Sequence, residues 1–263
     1  MSEAKGTALI TGASSGIGAI YADRLARQGY DLILVARRAD RLEEVADSIR
    51  KATAREVETL AADLGDPADL RRVETRVSND RRIALLINNA GIGSAARALE
   101  ADVDTMSAMV SINVEALMRL SYAAVPAFVA RGRGAIVNIA SVVAVAPELL
   151  NGVYGGTKAF VLAFSQSLRR ELDGTGVHVQ VVLPGATATD FWEVSGQPLE
   201  HLPSEIVMRA DDLVDAALNG LERGEFATIP GLHDERLWND FEAARQAMAG
   251  QLSTSTPAAR YRG

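Results

Sequence analysis

Short runs of apolar residues alternate with longer amphipathic segments along the chain. The apolar runs cover residues 7–10, 32–35, 57–62, 83–87, 135–139, 177–183 and 226–229. Helical patterns lie between or after them, at about 16–28, 40–51, from 66 onward, and at 103–130, 152–172, 211–222 and 234–249. Continuous apolar strands separated by helices predict a parallel sheet covered by helices on both faces. We therefore predict a doubly wound α/β fold with about seven strands in a single domain.

Two of the predicted helices, 103–130 and 152–172, are apolar around much of their circumference. A helix that is apolar on more than one side needs two partners to bury it. The sheet supplies one partner, and we expect a second subunit to supply the other, which predicts a homodimer or homotetramer. Burial under the chain's own loops is the alternative.

No internal repeat or linker divides the chain, so one domain is expected over residues 1–252. Pro198 and Pro203 lie in an irregular stretch after the sixth strand. We expect a substrate lid there, at about 186–209. The polar tail at 253–263 is expected to be flexible.

The composition is typical of a globular protein, since 48% of the 263 residues are hydrophobic and 23% are charged. The absence of cysteine excludes disulfides, thiol nucleophiles and cysteine-metal sites. The three histidines show no spacing to carboxylates that suggests a metal site, so no metal is expected. A net charge of −7 argues against a broad nucleic-acid surface, although a local basic spot could still bind a small anion.

No apolar run reaches the roughly 20 residues that a membrane-spanning helix needs. The first residues show no basic segment followed by an apolar core, so we expect no signal peptide. These features favour a cytoplasmic protein without a membrane or nucleic-acid partner.

A glycine-rich segment, here called the glycine loop, follows the first strand and begins the first helix. It reads Thr11-Gly12-Ala13-Ser14-Ser15-Gly16-Ile17-Gly18. Glycines permit a tight turn and a close approach of the backbone to a pyrophosphate, while the helix start offers free N–H groups. Because the loop lies at the first strand-to-helix turn, it predicts a dinucleotide site. The expected cofactor-binding residues here are Gly12, Ser14, Ser15, Gly16, Ile17 and Gly18.

The end of the second strand indicates which dinucleotide is preferred. NAD sites of this kind place an acidic residue here to hold the ribose 2′-hydroxyl, but this chain has Ala36-Arg37-Arg38. Arginines can clamp a 2′-phosphate, so we expect NADP(H) to be preferred, with NAD(H) as the other candidate. Alternatively, both arginines are solvated or pair with Glu43 or Glu44.

Tyr154 and Lys158 are four residues apart, which places them on the same face of a helix. The reference pKa of a phenol is about 10, and a neighbouring cation lowers it toward the working range of acid–base catalysis. The Ser141 hydroxyl, thirteen residues upstream of Tyr154, could hold a substrate oxygen beside the phenol. The three residues predict a site for proton transfer between a carbonyl and an alcohol.

Three further motifs occur in order at strand ends: Asp63-Leu64, Asn88-Asn89-Ala90-Gly91 and Pro184-Gly185. With the glycine loop, Ser141, Tyr154 and Lys158, they make residues 5–190 resemble the short-chain dehydrogenase/reductase family, in its short single-domain branch. The G-x-x-x-G-x-G spacing and the Asn-Asn-Ala-Gly tetrapeptide particularly mark this family. The resemblance implies a Rossmann-like fold and hydride transfer between a nicotinamide cofactor and the substrate.

The resemblance also implies roles for individual residues. Tyr154 would be the general acid or base, Lys158 would lower its pKa and bind the nicotinamide ribose, and Ser141 would orient the substrate oxygen. Asn113 would hold a water that extends the proton relay from Lys158. The remaining cofactor-binding candidates are Asp63, Leu64, Asn89, Ala90, Gly91, Pro184, Gly185, Thr187 and Thr189.

We expect the substrate to be a small carbonyl compound or alcohol in an apolar pocket. The candidate lining residues are Val142, Val143, Glu148, Leu149, Leu150, Val153, Phe191 and Trp192. Phe191 and Trp192 could instead anchor the lid. Gly155-Gly156 departs from the bulkier residues usual in the family, and could widen the pocket beside Tyr154.

Two alternative functions remain open from the sequence. One is a sensor or scaffold protein that binds NADP(H) without turnover, although such relatives typically lose the tyrosine or the lysine. The other is an epimerase or dehydratase on the same fold, although these usually have a longer C-terminal substrate domain and the other glycine spacing.

Overall fold

A computed structural model of the protein describes residues 5–262. Residues 1–4, which fall in the segment where no signal peptide is expected, and residue 263, at the end of the predicted tail, lie outside the described residues. Within 5–262, seven parallel strands form the main sheet: β1 Thr7–Thr11, β2 Asp31–Ala36, β3 Val57–Ala61, β4 Ile83–Asn88, β5 Gly134–Ile139, β6 Val177–Val182 and β9 Ala227–Thr228. They lie in the order β3-β2-β1-β4-β5-β6-β9, and β7 Thr187–Ala188 and β8 Met208–Arg209 form a separate pair. The predicted doubly wound parallel sheet is confirmed.

Helices connect the strands, as the sequence pattern predicts. They are α1 Gly16–Arg27, α2 Ala39–Thr53, α3 Pro67–Asn79, α4 Val103–Val110, α5 Leu117–Arg131, α6 Gly152–Glu171, α7 Phe191–Val194, α8 Ala210–Glu222 and α9 Glu235–Ala249. The start of α3 illustrates the local signals, because Asp66 accepts hydrogen bonds from the backbone N–H groups of Ala68 and Asp69. Pro67 occupies the first turn, where a missing N–H costs nothing.

Helices cover both faces of the sheet. On one face, α1, α2 and α8 bury residues such as Tyr21, Leu42 and Leu213 against the strands. On the other face, α3, α5 and α6 bury residues that include Val73 and Leu168. All five residues of β1 are buried, as expected for a central strand packed on both sides.

The predicted helix at 103–130 has a change of geometry in its middle. A π-helical segment, Ser111–Ala116, joins α4 to α5. In such segments each backbone hydrogen bond spans one residue more than in an α-helix, and they are frequent at functional sites. Asn113 lies in this segment and is 1% exposed.

The expected lid region begins and ends in a short parallel pair of strands. β7 (Thr187–Ala188) pairs with β8 (Met208–Arg209), and the backbone N–H of Met208 donates to the Ala186 carbonyl over 2.9 Å. Between them lie α7 and two single-turn 3₁₀ helices, Leu199–His201 and Ser204–Ile206. The two ends of the region are therefore fixed to each other.

The described residues divide into two compact units, 5–230 and 231–262. The first contains the whole sheet and α1 to α8. The second contains α9 and a 3₁₀ turn, Ala259–Tyr261. The expectations that one domain extends to residue 252 and that a flexible tail follows remain predictions.

Candidate active site

The glycine loop forms a cradle at the carboxyl end of β1. Gly12 and Gly16 have φ values of +66° and +54°, which L side chains rarely adopt. A Cβ on Gly18 would lie 2.3 Å from the Gly12 carbonyl oxygen, so the loop is too tight for a side chain there. Ser15 precedes α1 without capping it through its side chain, and no acidic residue lies in the first turn. The first N–H groups of α1 therefore have no side-chain cap, an arrangement suited to an anion.

The end of β4 closes one side of this cradle. Asn89 Nδ2 donates to the carbonyl oxygens of Thr11, at 2.9 Å, and Gly12, at 3.2 Å. Thr11 Oγ1 accepts from the backbone N–H groups of Asn89 and Ala90, both at 3.0 Å. β1 and β4 are neighbours at the point where the strand order reverses, which is where doubly wound sheets bind ligands.

Both arginines at the end of β2 are exposed. Neither Arg37 nor Arg38 forms an ion pair with any residue of 5–262, whereas Glu43 binds Arg50 and Thr59. The alternative in which these arginines pair with Glu43 or Glu44 is therefore not what the structure shows. Both guanidinium groups are free to meet an anion.

The residues after β3 are held in a turn. The Asp63 carboxylate accepts from the Gly65 N–H at 2.9 Å, and the Asp63 N–H donates to the Asp69 carboxylate at 2.8 Å. Leu64 is buried, with 7% of its surface exposed. One Asp63 oxygen thus stabilises the local turn, and the carboxylate is only half-buried.

Three predicted residues meet at the carboxyl end of β5. Ser141 follows this strand, and Tyr154 and Lys158 occupy successive turns of α6, which Asn151 caps by accepting from the Tyr154 N–H at 2.8 Å. All three side chains are buried, with 8%, 7% and 6% of their surfaces exposed. Lys158 Nζ donates to the Ile139 carbonyl over 2.9 Å and lies 5.8 Å from the centre of the Tyr154 ring.

Burial dominates the acid–base properties of this group. It raises the pKa of Tyr154 to about 12, and a hydrogen bond with Ser141 lowers that pKa to a smaller extent. Burial also lowers the pKa of Lys158 to about 8. The sequence predicts that Lys158 lowers the pKa of Tyr154. In the structure the net shift of the Tyr154 pKa is upward instead, because removal of the phenol from water is the largest effect.

Asn113 clamps the segment that follows β4. Its Oδ1 accepts from the Ile92 N–H and its Nδ2 donates to the Ile92 carbonyl, both at 2.9 Å. Nδ2 also donates to Thr157 Oγ1 on α6 at 3.1 Å. A Cβ on Gly91 would lie 3.1 Å from Asn113 Oδ1 and 3.6 Å from Lys158 Nζ, so the clamp brings Gly91 beside the lysine.

The residues after β6 reach the glycine loop. The Ser141 hydroxyl donates to the Pro184 carbonyl at 3.3 Å, and Thr187 Oγ1 donates to the Gly185 carbonyl at 3.0 Å. A Cβ on Gly16 would lie 3.3 Å from the Thr189 methyl group. Thr189 therefore lies beside the glycine loop.

An apolar wall surrounds Tyr154. Four of the residues predicted to line the pocket, Val143, Leu150, Val153 and Phe191, pack in one cluster with the tyrosine. The Phe191 ring lies 5.7 Å from the Tyr154 ring, tilted by 45°. Of the other candidates, Val142 is half-buried outside this cluster, Glu148 and Leu149 are exposed, and Trp192 Nε1 donates to the Thr187 carbonyl at 2.9 Å. Phe191 thus lies in the wall, whereas Trp192 is bound to the backbone of β7, at the start of the expected lid region.

The family model described as short chain dehydrogenase matches residues 6–199. The chain belongs to the short-chain dehydrogenase/reductase family. It is an oxidoreductase that acts on alcohol or carbonyl groups, and relatives are named accordingly. Sulfoacetaldehyde reductase 2 of Chromohalobacter salexigens is 38% identical over 186 residues, which are 70% of this chain and 73% of that protein.

Solved structures of family members match more of the chain. A short-chain dehydrogenase from Sphingobium yanoikuyae in complex with NADPH has a TM-score of 0.94 and 48% identity, over 97% of this chain and 100% of that one. The bulky-bulky ketone specific alcohol dehydrogenase from Comamonas testosteroni has a TM-score of 0.92 and 43% identity, over 99% of this chain and 100% of that one.

Four residues of the apolar wall were missed from the sequence: the buried Met106 and Met109, and the partly buried Ile92 and Ala101. Met106 and Met109 of α4 pack against Tyr154, and they are 9% and 0% exposed. Their i, i+3 spacing indicates a shared helix face, but nothing local indicates that this face meets α6. Methionines adapt their shape readily, which suits a wall that meets varied apolar groups.

The glycine pair that departs from the family pattern does not widen the pocket beside Tyr154. A Cβ on Gly155 would lie 3.0 Å from Pro147 Cβ and 3.1 Å from the Pro147 carbonyl oxygen, so Pro147 occupies that space. Gly156 is exposed and has no atom within 4 Å of its Cβ direction. Gly155 instead allows the loop after β5 to pack closely on α6.

Across residues 5–262, no helix combines the length and apolar character needed to cross a bilayer. The same residues contain no group of three acidic or histidine side chains placed to hold a metal ion.

Proposed function

We propose that this family member interconverts bulky, apolar ketones and their secondary alcohols with NADP(H), using Tyr154 as the general acid and base. One observation supports this most: the buried Tyr154 phenol lies within an apolar wall, and the Ser141 hydroxyl hydrogen-bonds to it. A neutral phenol and a neighbouring hydroxyl can both bind one carbonyl oxygen, while apolar side chains receive its substituents.

The residues fit a dinucleotide cofactor. The glycine cradle and the uncapped start of α1 suit the pyrophosphate, and Asn89 keeps the cradle in shape. Exposed Arg37 and Arg38 suit the 2′-phosphate that distinguishes NADP(H) from NAD(H). When bound, the nicotinamide supplies or accepts the hydride.

The chain's own residues manage the proton. Because burial raises the pKa of Tyr154 to about 12, the phenol is protonated near neutral pH and can donate to a carbonyl oxygen that becomes an alcohol. Ser141 orients that oxygen once its hydroxyl proton turns from the Pro184 carbonyl to the substrate. Lys158 is buried beside the ring and Gly91, where its ammonium can bind the ribose and favour the ionised phenol needed for alcohol oxidation.

The apolar side chains around Tyr154 favour an uncharged substrate. Glu148, the one charged side chain among the predicted lining residues, is acidic and exposed, so it offers nothing to an anion. Sulfoacetaldehyde, named for one relative, carries such an anion. The name of the Comamonas testosteroni enzyme, a bulky-bulky ketone specific alcohol dehydrogenase, agrees with the apolar wall described here.

We also propose that a second copy of the chain covers α5 and α6. Tyr122, Val110 and Val129 are 52%, 44% and 38% exposed along the π-interrupted helix. The Tyr122 ring meets the edge of the Phe164 ring of α6 at 5.8 Å, so both helices contribute to one apolar face.

The decisive experiment follows NADPH absorbance with diaryl ketones, long-chain ketones and small aldehydes, using wild type and Tyr154→Phe. We expect turnover of the bulky ketones, a loss of at least about a hundredfold in Tyr154→Phe, and unchanged NADPH binding. Turnover that does not depend on Tyr154 would refute the assignment. NADPH binding without turnover of any substrate would favour the sensor alternative.

A further inference from the structure

Two asparagines lie opposite each other at the carboxyl ends of neighbouring strands. Asn88 ends β4, Asn138 is next to last in β5, and the two pair in register. Their side chains are 2% and 0% exposed. Asn88 Nδ2 donates to Asn138 Oδ1 over 2.9 Å. The sheet thus has a polar pair in its interior, immediately before the residues of the candidate active site.

Each asparagine also binds a serine of the helix that covers it. Asn88 Nδ2 donates to Ser121 Oγ of α5, and Asn138 Nδ2 donates to Ser165 Oγ of α6, both at 2.9 Å. Both serines are fully buried, and each donates its own proton to the carbonyl four residues earlier in its helix. A continuous chain of hydrogen bonds therefore runs from α5 through two strands to α6.

This chain of hydrogen bonds ends on the helix that bears the candidate catalytic residues. Ser165 lies seven residues after Lys158, two turns further along the same face of α6. Asn138 directly precedes Ile139, whose carbonyl accepts the hydrogen bond from Lys158 Nζ. Adjacent residues of β5 thus hold α6 at two points, one at Lys158 and the other at Ser165.

The polar pair has a cost in stability. Asn88 Oδ1 is buried and has no hydrogen-bond partner among residues 5–262. A buried acceptor without a partner is unfavourable, and a well-packed apolar pair of similar volume is often at least as stable. A gain in stability therefore does not explain this network well. A hydrogen bond has a preferred direction and length. It can therefore fix the position of a helix along a strand more strictly than apolar contact does.

We propose that Asn138 and Ser165 are positioning residues. They fix the position of α6 along the direction of β5, so that Tyr154 and Lys158 lie where they can contact the substrate and the cofactor. This inference rests on the proposed function. A misplacement of about 1 Å is enough to lower a rate substantially, so even a small slide of α6 should be visible in kcat.

The structure offers a matched control. Ser121→Ala and Ser165→Ala each remove a fully buried hydroxyl that accepts one asparagine N–H and donates to its own helix. Alanine favours both helices equally. The variants differ in that only Ser165 lies on α6. Both are assayed for unfolding in urea, for NADPH affinity, and for kcat and KM with the best ketone, beside Tyr154→Phe.

We expect both serine variants to lose similar stability. Ser165→Ala should lose about tenfold in kcat with KM and NADPH affinity unchanged, and Ser121→Ala should keep kcat within about twofold. Asn138→Ala, which leaves both serines bonded to their own helices, should repeat the kcat loss and serves as the second variant if Ser165→Ala does not fold.

Equal kcat values in the two serine variants, or an unchanged kcat in Asn138→Ala, would overturn the positioning role while the dependence on Tyr154 stands. If Tyr154→Phe turned over the ketone as fast as the wild type, the proposed function would be refuted, and the positioning role with it.

Discussion

The Lys158 ammonium lies 5.8 Å from the centre of the Tyr154 ring, and its hydrogen bond goes to the Ile139 carbonyl. In this arrangement both side chains are removed from water. Burial raises the pKa of Tyr154 and lowers the pKa of Lys158, and both shifts favour the uncharged form of the side chain. Catalytic groups near neutral pH commonly owe their properties to such burial. At neutral pH the buried charge of Lys158 therefore costs stability at a position that the proposed mechanism uses.

Replacement of Lys158 by methionine should stabilise the fold at pH 7. The pKa of Lys158 is about 8 in the folded protein and 10.5 for an exposed lysine, so between these values the unfolded chain binds more protons. Below pH 8 the buried charge destabilises the fold by up to about 3 kcal/mol, and this cost disappears as pH rises to 10.5. Urea unfolding at pH 7 and pH 10 should show the advantage of Lys158→Met shrinking with pH. Lys51→Met, on the exposed face of α2, is the control, and a difference that does not change with pH would contradict this account.

Replacement of Arg37 and Arg38 by alanine should weaken NADPH binding selectively. Each arginine is exposed and has no ion pair within residues 5–262, so its loss leaves no internal partner unpaired. Charge-assisted hydrogen bonds contribute about 1.5–3 kcal/mol each, which corresponds to roughly 10–150-fold in affinity. Titration of both cofactors should therefore show a large loss for NADPH and little change for NADH. Arg71→Ala, on the exposed surface of α3, controls for general loss of charge. An unchanged ratio of the two affinities would refute the 2′-phosphate assignment.

Replacement of Phe191 by alanine should admit larger substituents at the wall around Tyr154. A Cβ on Gly93 would lie 2.3 Å from Phe191 Cζ, so Gly93→Ala should push the ring out of its place. In Gly93→Ala, we expect kcat/KM for bulky ketones to differ from the wild-type value. In the double variant, where the clash is absent, kcat/KM should be close to the value of Phe191→Ala. Kinetics on a ketone series of increasing size measures this. Additive effects of the two substitutions would show that Gly93 and Phe191 act independently.

Substitution of aspartate for Tyr122 should dissociate the proposed oligomer. Tyr122 is half-exposed and touches Phe164, so a carboxylate there would be buried by a second copy without a partner. Light scattering of the wild type and the variant should show a lower mass for Tyr122→Asp. Tyr261→Asp, at another exposed tyrosine, should leave the mass unchanged. A monomeric wild type would exclude this interface.

The amino-acid sequence was enough to predict the seven strands of the main sheet, most of the helices and the order of the site residues. The short apolar runs fixed seven strands, the Asp66-Pro67 pair fixed the start of α3, and the glycine loop required one particular strand-to-helix turn. These signals are local, because periodicity, capping and backbone freedom depend on residues that are neighbours in the chain. Ser141, Tyr154 and Lys158 were likewise recognisable, since they lie in one short stretch of chain, between the end of β5 and the first turns of α6.

The surroundings of those residues became visible only once the chain was folded. The packing of Met106 and Met109 on Tyr154, the contact between Pro147 and Gly155, and the separate roles of Phe191 and Trp192 all depend on distant segments of the chain. The direction of the Tyr154 pKa shift also reversed, because desolvation depends on every atom that excludes water from the phenol. Spacing along a helix shows which side chains share a face, but the environment of that face is set by the segments that pack against it.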